Sequence, residues 1–480
     1  MMSLDELALA STLQAAGRNP QLPFRIALAD GRQLRMFRLL RVLPGKRLVG
    51  EATLGDRRVL AKLFVGRHCE KHWQQERAGL DELVLAAVPT PPLVAAMALA
   101  GGGYALLTDF LDSAESLAEC WARVAGRPPG DAQALSTLAP ALTMAGRLHA
   151  AGLVHEDLHL GNFLRHDGCL LVIDGDAVRV VSPGQALPPE RACANLAVLL
   201  AQLPPAWDEH LPTLLPAYLA GAGKVRFAMP ALHAQITRVR TWRLGDFLAK
   251  TVRDCTLFAV ERSTSRFSTV LRQESAALAP LLAAPDSAIE RGRVLKDGGT
   301  STVARVVVND RVLLVKRYNL KNLGHALGRL WRPSRAWHSW REGHRLQFLG
   351  IPTPQPLALI EERVGPLRRR GWLICDFCPG PNLLVHLSAD REPPAAEARA
   401  MISLFETMHR QQISHGDLKA MNLLWYAERV LLIDLDSVVQ HRSPAAHARA
   451  WQRDRARLLR NWPAASLLHR WLDEHLPPAA

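Results

Sequence analysis

One motif occurs twice in this chain, each time with the same downstream spacing. Residues 155–162 read His-Glu-Asp-Leu-His-Leu-Gly-Asn, and residues 415–422 read His-Gly-Asp-Leu-Lys-Ala-Met-Asn. Each run leads into an apolar stretch ending in Asp-x-Asp, at 170–176 in the first half and 430–436 in the second. Asp157 precedes Asp174 by 17 residues, and Asp417 precedes Asp434 by 17. Repetition of both motif and interval identifies two copies of one fold. The 480 residues leave room for two cores of roughly 200–250 residues each.

The repeat extends upstream. Residues 58–64 and 311–318 form strand-like runs that hold Lys62 and Lys316, 95 and 101 residues before the loop aspartates. Gly55-Asp56 and Asn309-Asp310 read as hairpin turns ahead of these lysines. Glu76 follows Lys62 by 14 residues in a helical segment expected at 71–87. Glu342 follows Lys316 by 26, in a segment expected at 337–349. The longer interval holds Lys321, Arg329, Arg332 and Arg335, read as a basic insertion. Short strands at 106–110 and 373–377 then lead to helices at 139–151 and 396–411, each delivering the chain into its motif loop. Pro140 fits the opening turn of the first of these helices. The pattern predicts an α+β chain of tandem protein-kinase-like, bilobal domains. Each has a small antiparallel-sheet lobe and a mostly helical large lobe.

Further helices are expected at 190–203 and 210–222, the second interrupted by Pro212 and Pro216, and a helical block at 232–277 completes the first domain. The alanine- and proline-rich stretch 278–286 reads as the linker, giving domains 1–285 and 286–480. Helices at 449–474 close the second domain, with Asp454 placed to brace its loop.

Seven scattered cysteines without regular spacing argue against a disulfide scaffold, and Cys375 with Cys378 lacks a second ligand pair for zinc. The N-terminus lacks the basic start and apolar run of a signal peptide. Prolines and glycines divide the uncharged stretch 83–107, which reads as a helix followed by strands and not as a membrane span.

The residue types match one kind of chemistry. A triphosphate needs its charge neutralised and its terminal phosphorus held in line with an acceptor hydroxyl. Lys62 and Lys316 offer ammonium groups to phosphates, with Glu76 and Glu342 holding them in place. Asp157 and Asp417 are the candidate catalytic residues, orienting the acceptor oxygen. Asn162 and Asn422 sit five residues further on and can reach magnesium from the same loop. Asp174 and Asp434 are candidate magnesium ligands, since that hard cation takes carboxylate oxygens. Asp176 and Asp436 read as further ligands or supporting groups on the same strand face. The implied cofactors are ATP and Mg2+. Neither half has a full Gly-x-Gly-x-x-Gly loop, and there is no P-loop. Isolated histidines such as His159, His325 and His409 read as structural.

The chain resembles the lipopolysaccharide core kinases, which phosphorylate heptose or Kdo sugars of the inner core. The first half carries the resemblance through residues 43–48, Ala61-Lys62-Leu63-Phe64 and 155–162. The second carries it through Val315-Lys316-Arg317-Tyr318, 415–419 and Asn422. The resemblance implies nucleotide-binding roles for Lys62 and Lys316, catalytic roles for Asp157 and Asp417, and metal ligation by Asp174 and Asp434. It also implies ATP-dependent phosphorylation of a heptose or related core sugar. Two departures stand out: family members generally have one kinase domain, and Glu156 replaces the usual glycine before Asp157. Open beside this are a protein or small-molecule acceptor, and a pseudokinase scaffold binding lipopolysaccharide intermediates.

A net charge of +14 suits an anionic partner. Residues 305–345 hold ten Lys or Arg against two acidic residues, with Trp331, Trp337 and Trp340 among them. Arg363 and Arg368–Arg370 are expected in a hairpin. The expected partners are a lipopolysaccharide core or lipid-linked sugar and the anionic inner-membrane surface, with no specific nucleic acid. The expected location is cytoplasmic and peripheral to that membrane.

Overall fold

Tight turns set the register of both small lobes. Gly55 and Asp56 join strands whose ends pair Leu54 with Arg57, and Asn309 and Asp310 join strands that pair Val308 with Arg311. Both Asn309 and Asp310 have positive φ, as a two-residue hairpin of right-handed twist requires. The hairpins place Lys62 opposite Val49 and Leu106, and Lys316 opposite Val303 and Leu373.

The computed structural model describes residues 7–319, 333–364 and 367–478. The chain divides into two compact units, Met1–Thr241 and Trp242–Ala480. In the first, an antiparallel sheet runs in the order Phe24–Ala27, Gln33–Leu43, Arg47–Leu54, Arg57–Phe64, Tyr104–Asp109, Leu93–Ala98. The second repeats the last five strands in the same order: Arg293–Gly298, Ser301–Val308, Arg311–Tyr318, Leu367–Asp376, Pro356–Val364. Each lysine strand lies in the middle of its sheet. A helix follows it, Cys69–Leu85 in one unit and Arg335–Phe348 in the other.

The second sheet gains two strands that the sequence reading assigns to the first domain's helical block. Phe258–Arg262 and Arg266–Leu271 form a hairpin whose inner strand pairs with Pro356–Val364, Thr269 opposite Leu359. The boundary therefore falls at 241/242, not near 285. The stretch expected as a linker is two helices, Ser275–Ala283 and Pro285–Arg291, whose Leu278, Leu281 and Ile289 cover one face of the sheet. Asp286 ties them down, accepting hydrogen bonds from Trp372 Nε1 (2.9 Å) and Arg370 (2.9 Å). On the opposite face Trp340 is fully buried beside Phe258, Leu359 and Leu373, a contact whose truncation to alanine typically costs about 3–5 kcal/mol.

The large lobes are mostly helical; Pro189–Leu200, Leu211–Gly221 and Ala395–Arg410 lie close to where the sequence places them, whereas the block expected at 232–277 holds one long helix, Met229–Lys250, before the added strands. One correction concerns Pro140. The helix begins at Ala132, because the Asp131 carboxylate accepts from the backbone N–H groups of Gln133 and Ala134. Pro140 therefore sits inside Ala132–Ala150 and not in its first turn. No helix among the described residues is long and apolar enough to cross a membrane.

The first unit's helix approaches the Asp174–Gly175 turn so closely that a Cβ at Gly79 would stand 1.9 Å from the Gly175 carbonyl oxygen. Gly79→Ala is expected to lower stability by about 1–3 kcal/mol through this backbone clash. Calorimetry of the full chain should show the first unit's transition lowered. Gly245→Ala, with open space around it, should leave both transitions in place.

Candidate functional site

In the first unit the lysine, the helix glutamate and the Asp-x-Asp turn converge. Lys62 Nζ hydrogen-bonds Glu76 Oε1 and lies 3.1 Å from Asp174 Oδ1. Glu76 Oε1 also accepts from the Gly175 N–H at 3.2 Å. Arg47 completes the cluster, 2.9 Å from Asp176 Oδ2 and 3.4 Å from Glu76 Oε2. Burial works against the charge on Lys62, but Glu76 and Asp174 outweigh it and hold its proton more tightly than in free lysine. Burial likewise raises the Asp174 carboxyl, and Lys62 with Arg47 more than offsets this, leaving it below the usual carboxylate range. Glu76, Asp174 and Asp176 each offer an oxygen within 4.8 Å of the others, a spacing that suits a metal ion.

The second unit reaches the same end by different contacts. Lys316 Nζ lies 2.6 Å from Asp434 Oδ1 and 2.9 Å from Asp436 Oδ1. Glu342 does not hold this lysine as expected: its carboxylate pairs with Arg345 at 2.7 Å, one turn along its own helix. Asp436 takes over that bracing. It accepts from Tyr318 Oη (2.7 Å), Ser339 Oγ (2.7 Å) and the Arg335 guanidinium. Burial raises the Asp436 carboxyl, but Lys316, Arg335 and the two hydroxyls bring it down to about 2.

A shared frame supports both loops. Asn162 Nδ2 and Asn422 Nδ2 each donate to the backbone oxygen of the loop aspartate at 2.9 Å. Ile173 N and Ile433 N each donate to the asparagine backbone oxygen at 3.0 Å. His155 and His415 bond the carbonyls of Ile173 and Ile433 through Nε2, at 3.0 and 2.9 Å. Asp174 and Asp434 both adopt positive φ, 70° and 59°. An aspartate held in that sparsely populated region marks a constrained turn. The Asp-x-Asp pairs are thus not on strand faces: the strands end at Val172 and Leu432, and 3-10 turns at Gly175–Ala177 and Leu435–Ser437 carry the second aspartates.

The loops differ at Asp157 and Asp417, the candidate catalytic residues. Asp417 receives Lys419 Nζ at 3.0 Å and the Arg457 guanidinium. Burial raises its carboxyl, and these two cations more than offset it. Asp157 lies 3.5 Å from His159 Nε2, so His159, read as structural, stands at the site. Glu156 turns to Arg179 at 3.1 Å, which offsets its like charge. Asp454 braces the second loop as expected, accepting from His415 N (2.6 Å) and Gly416 N (3.1 Å). Asn195 does this work in the first, donating to His155 O at 2.9 Å. Asn195 is steadied by His149, whose imidazole burial pushes down to about 4, so that neutral Nε2–H donates to Asn195 Oδ1 while Tyr218 Oη donates to Nδ1.

Arg47, Ser339, Asn195 and Arg457 escape the sequence reading as site residues, and Arg335, expected in a basic insertion, instead opens the helix Arg335–Phe348 and pairs with Asp436. Register holds a signal for the first: Arg47 faces Phe64, two residues beyond Lys62, whereas Ser301 faces Tyr318 in the second sheet. The basic insertion (Lys321, Arg329, Arg332), Trp331 and His325 lie outside the described residues. His409 packs at ring distance from His447 and Trp451. The hairpin arginines are partly engaged, Arg363 with Glu361 at 2.8 Å and Arg370 with Asp286 and Glu362.

A family model described as "Lipopolysaccharide kinase (Kdo/WaaP) family" matches residues 67–179 and 290–471, more than half of the chain. The chain belongs to the lipopolysaccharide kinase (Kdo/WaaP) family. The two matched stretches hold one Asp-x-x-x-x-Asn loop each. Among solved structures, "WaaP in complex with acyl carrier protein" is 20% identical, covering 44% of this chain and 86% of its own, with a TM-score of 0.32. "Structure of vaccinia related kinase 3" is 12% identical, covering 49% and 95%, with a TM-score of 0.29. No curated protein matches the chain.

The Asp436 carboxyl is depressed in the folded chain, so its stabilisation is complete above about pH 4 and is lost as pH falls toward about 2. Asp436→Asn should therefore destabilise the second unit by about 2 kcal/mol at pH 7. Thermal unfolding across pH should show the gap to wild type narrowing below pH 4. A gap of constant size would rule out the ion-pair account.

Proposed function

We propose that this Kdo/WaaP kinase transfers the terminal phosphoryl group of ATP to a hydroxyl of a heptose or related sugar in the lipopolysaccharide inner core. The observation that carries the reading is the convergence, in a member of this family, of a largely buried lysine and a left-handed aspartate beside an Asp-x-x-x-x-Asn loop, in both units. Lys62 and Lys316 would neutralise phosphate oxygens. Asp174 with Asn162, and Asp434 with Asn422, would hold Mg2+, since each asparagine spends its Nδ2 on the loop backbone and keeps its side-chain oxygen for a cation. Magnesium bound there would spread the charge that develops on the transferred group. Asp157 and Asp417 would orient the acceptor hydroxyl for in-line attack.

Asp176 remains a candidate second ligand, with Arg47 balancing its charge. Asp436 is better suited to hold Lys316 than to ligate metal, because four donors already occupy it. Glu342 and Arg345 form a pair that steadies the helix. We further propose a position on the cytoplasmic face of the inner membrane, where a chain of charge +14 meets an anionic surface and an acceptor bearing carboxylates.

Mass spectrometry of core oligosaccharide from cells carrying Asp157→Ala, Asp417→Ala or both tests this. Phosphate should fall at one core position or more, by about 100-fold or greater where the lost aspartate serves that position. Unchanged core phosphate in the double variant would sink the assignment.

A further inference from the structure

A cavity of about 590 Å³ lies in the second unit, and none of Lys316, Asp417, Asp434 and Asp436 lines it. Three connections wall it: residues 352–355 after the helix Arg335–Phe348, residues 376–379 at the end of the strand Leu367–Asp376, and the turn joining Leu423–Tyr426 to Arg429–Leu432. These walls are tied together. Leu432 N donates to Pro352 O at 2.9 Å, Thr353 Oγ1 to Leu432 O at 2.8 Å, and Asp376 N to Gln355 O at 3.0 Å. The volume suits a small molecule, and a space framed by backbone hydrogen bonds needs little rearrangement to receive one.

The lining is of two kinds. Phe377, Tyr426, Pro352, Val312 and Leu431 supply apolar and ring surface, and Arg305, Arg311 and Arg429 supply cations. Arg311 is already balanced, by Glu274 at 2.7 Å and Asp376 at 2.6 Å. Arg305 lies over the Phe377 ring, its guanidinium carbon 5.4 Å from the centroid. Its buried Nε meets no acceptor among the described residues. Neither Arg305 nor Arg429 pairs with a carboxylate among the described residues. A half-buried guanidinium without a counter-charge is a costly arrangement that an anion would relieve.

The first unit differs at both positions. Arg305 stands opposite Leu314, two residues before Lys316, whereas Glu51 stands opposite Leu60, two before Lys62. Arg429 pairs with Tyr426 across its turn, whereas Cys169 pairs with His166. A carboxylate and a thiol thus hold the places of the two arginines. The arginine pair belongs to the second unit and not to the frame that both units share.

We infer that this cavity binds an organic phosphate, its phosphoryl group drawn to Arg305 and Arg429 and its ring portion set against Phe377 and Tyr426. A phosphate monoester carries about −1.5 to −2 charge near pH 7, which two guanidinium groups match and a single carboxylate would not. The ligand is additional to the phosphoryl donor and the acceptor of the transfer proposed above, because the residues assigned to those partners lie outside the lining.

Calorimetry on the full chain tests this, in EDTA so that the aspartate clusters are without metal. The probes are ribose 5-phosphate, AMP, ribose and inorganic phosphate. At least one of the two organic phosphates should bind about 10-fold or more tightly than inorganic phosphate, and ribose should show no binding. An advantage of AMP over ribose 5-phosphate of about 10-fold or more assigns the site to nucleotides, and equal binding assigns it to sugar phosphates. Arg305→Met keeps an apolar stem over Phe377 without the charge, and Arg429→Gln alters an exposed side chain at the hairpin turn. Each should weaken binding about 10-fold or more while the thermal transitions stay in place, and Arg429→Lys should restore part of the loss. Absence of binding by both organic phosphates to the wild-type chain overturns the site, as does binding that survives either Arg305→Met or Arg429→Gln.

Discussion

The ion pair between a strand lysine and an aspartate held in left-handed backbone joins the sheet lobe to the helical lobe within each unit. Its aspartate comes from a turn that is unfavourable by itself, and its lysine would be costly to bury alone. Each makes the other tolerable. The neighbouring isoleucine–asparagine and histidine–carbonyl hydrogen bonds recur in both units with nearly equal lengths. The geometry of the turn is therefore preserved even where the residues around it change.

Those changes are instructive. Each ammonium meets two carboxylates, and the units recruit the second from different places: from the helix as Glu76, or from the turn as Asp436. A guanidinium balances the remaining negative charge, supplied by Arg47 from a strand or by Arg335 from a helix. The same electrostatic requirement is met by side chains with no common place in the sequence. What recurs between the halves is a lysine met by two carboxylates with a guanidinium alongside.

Much of this was legible from residue order. The loop motif and its equal spacing announce two copies, and the two-residue turns locate the lysine strands. Lys62, Glu76 and Asp174 meet as their spacing suggests. Glu342 misleads because a helix glutamate at the right distance along the chain has a nearer partner in Arg345, three residues on. The strands Phe258–Arg262 and Arg266–Leu271 are missed because their arginines and serines read as polar helix surface, and their pairing partner lies about a hundred residues downstream. Arg457 is invisible for a similar reason: only folding brings its helix to the loop.

The added hairpin has a practical meaning for anyone who would take the molecule apart. Cutting near 285 leaves Phe258 and Phe267 on the wrong fragment and bares the rim of Pro356–Val364, with its row of unpaired amides and carbonyls. An uncovered rim of that kind recruits strands from other molecules. A fragment begun there would be prone to self-association, and silence from it in an assay would reflect a torn sheet, not an idle catalyst.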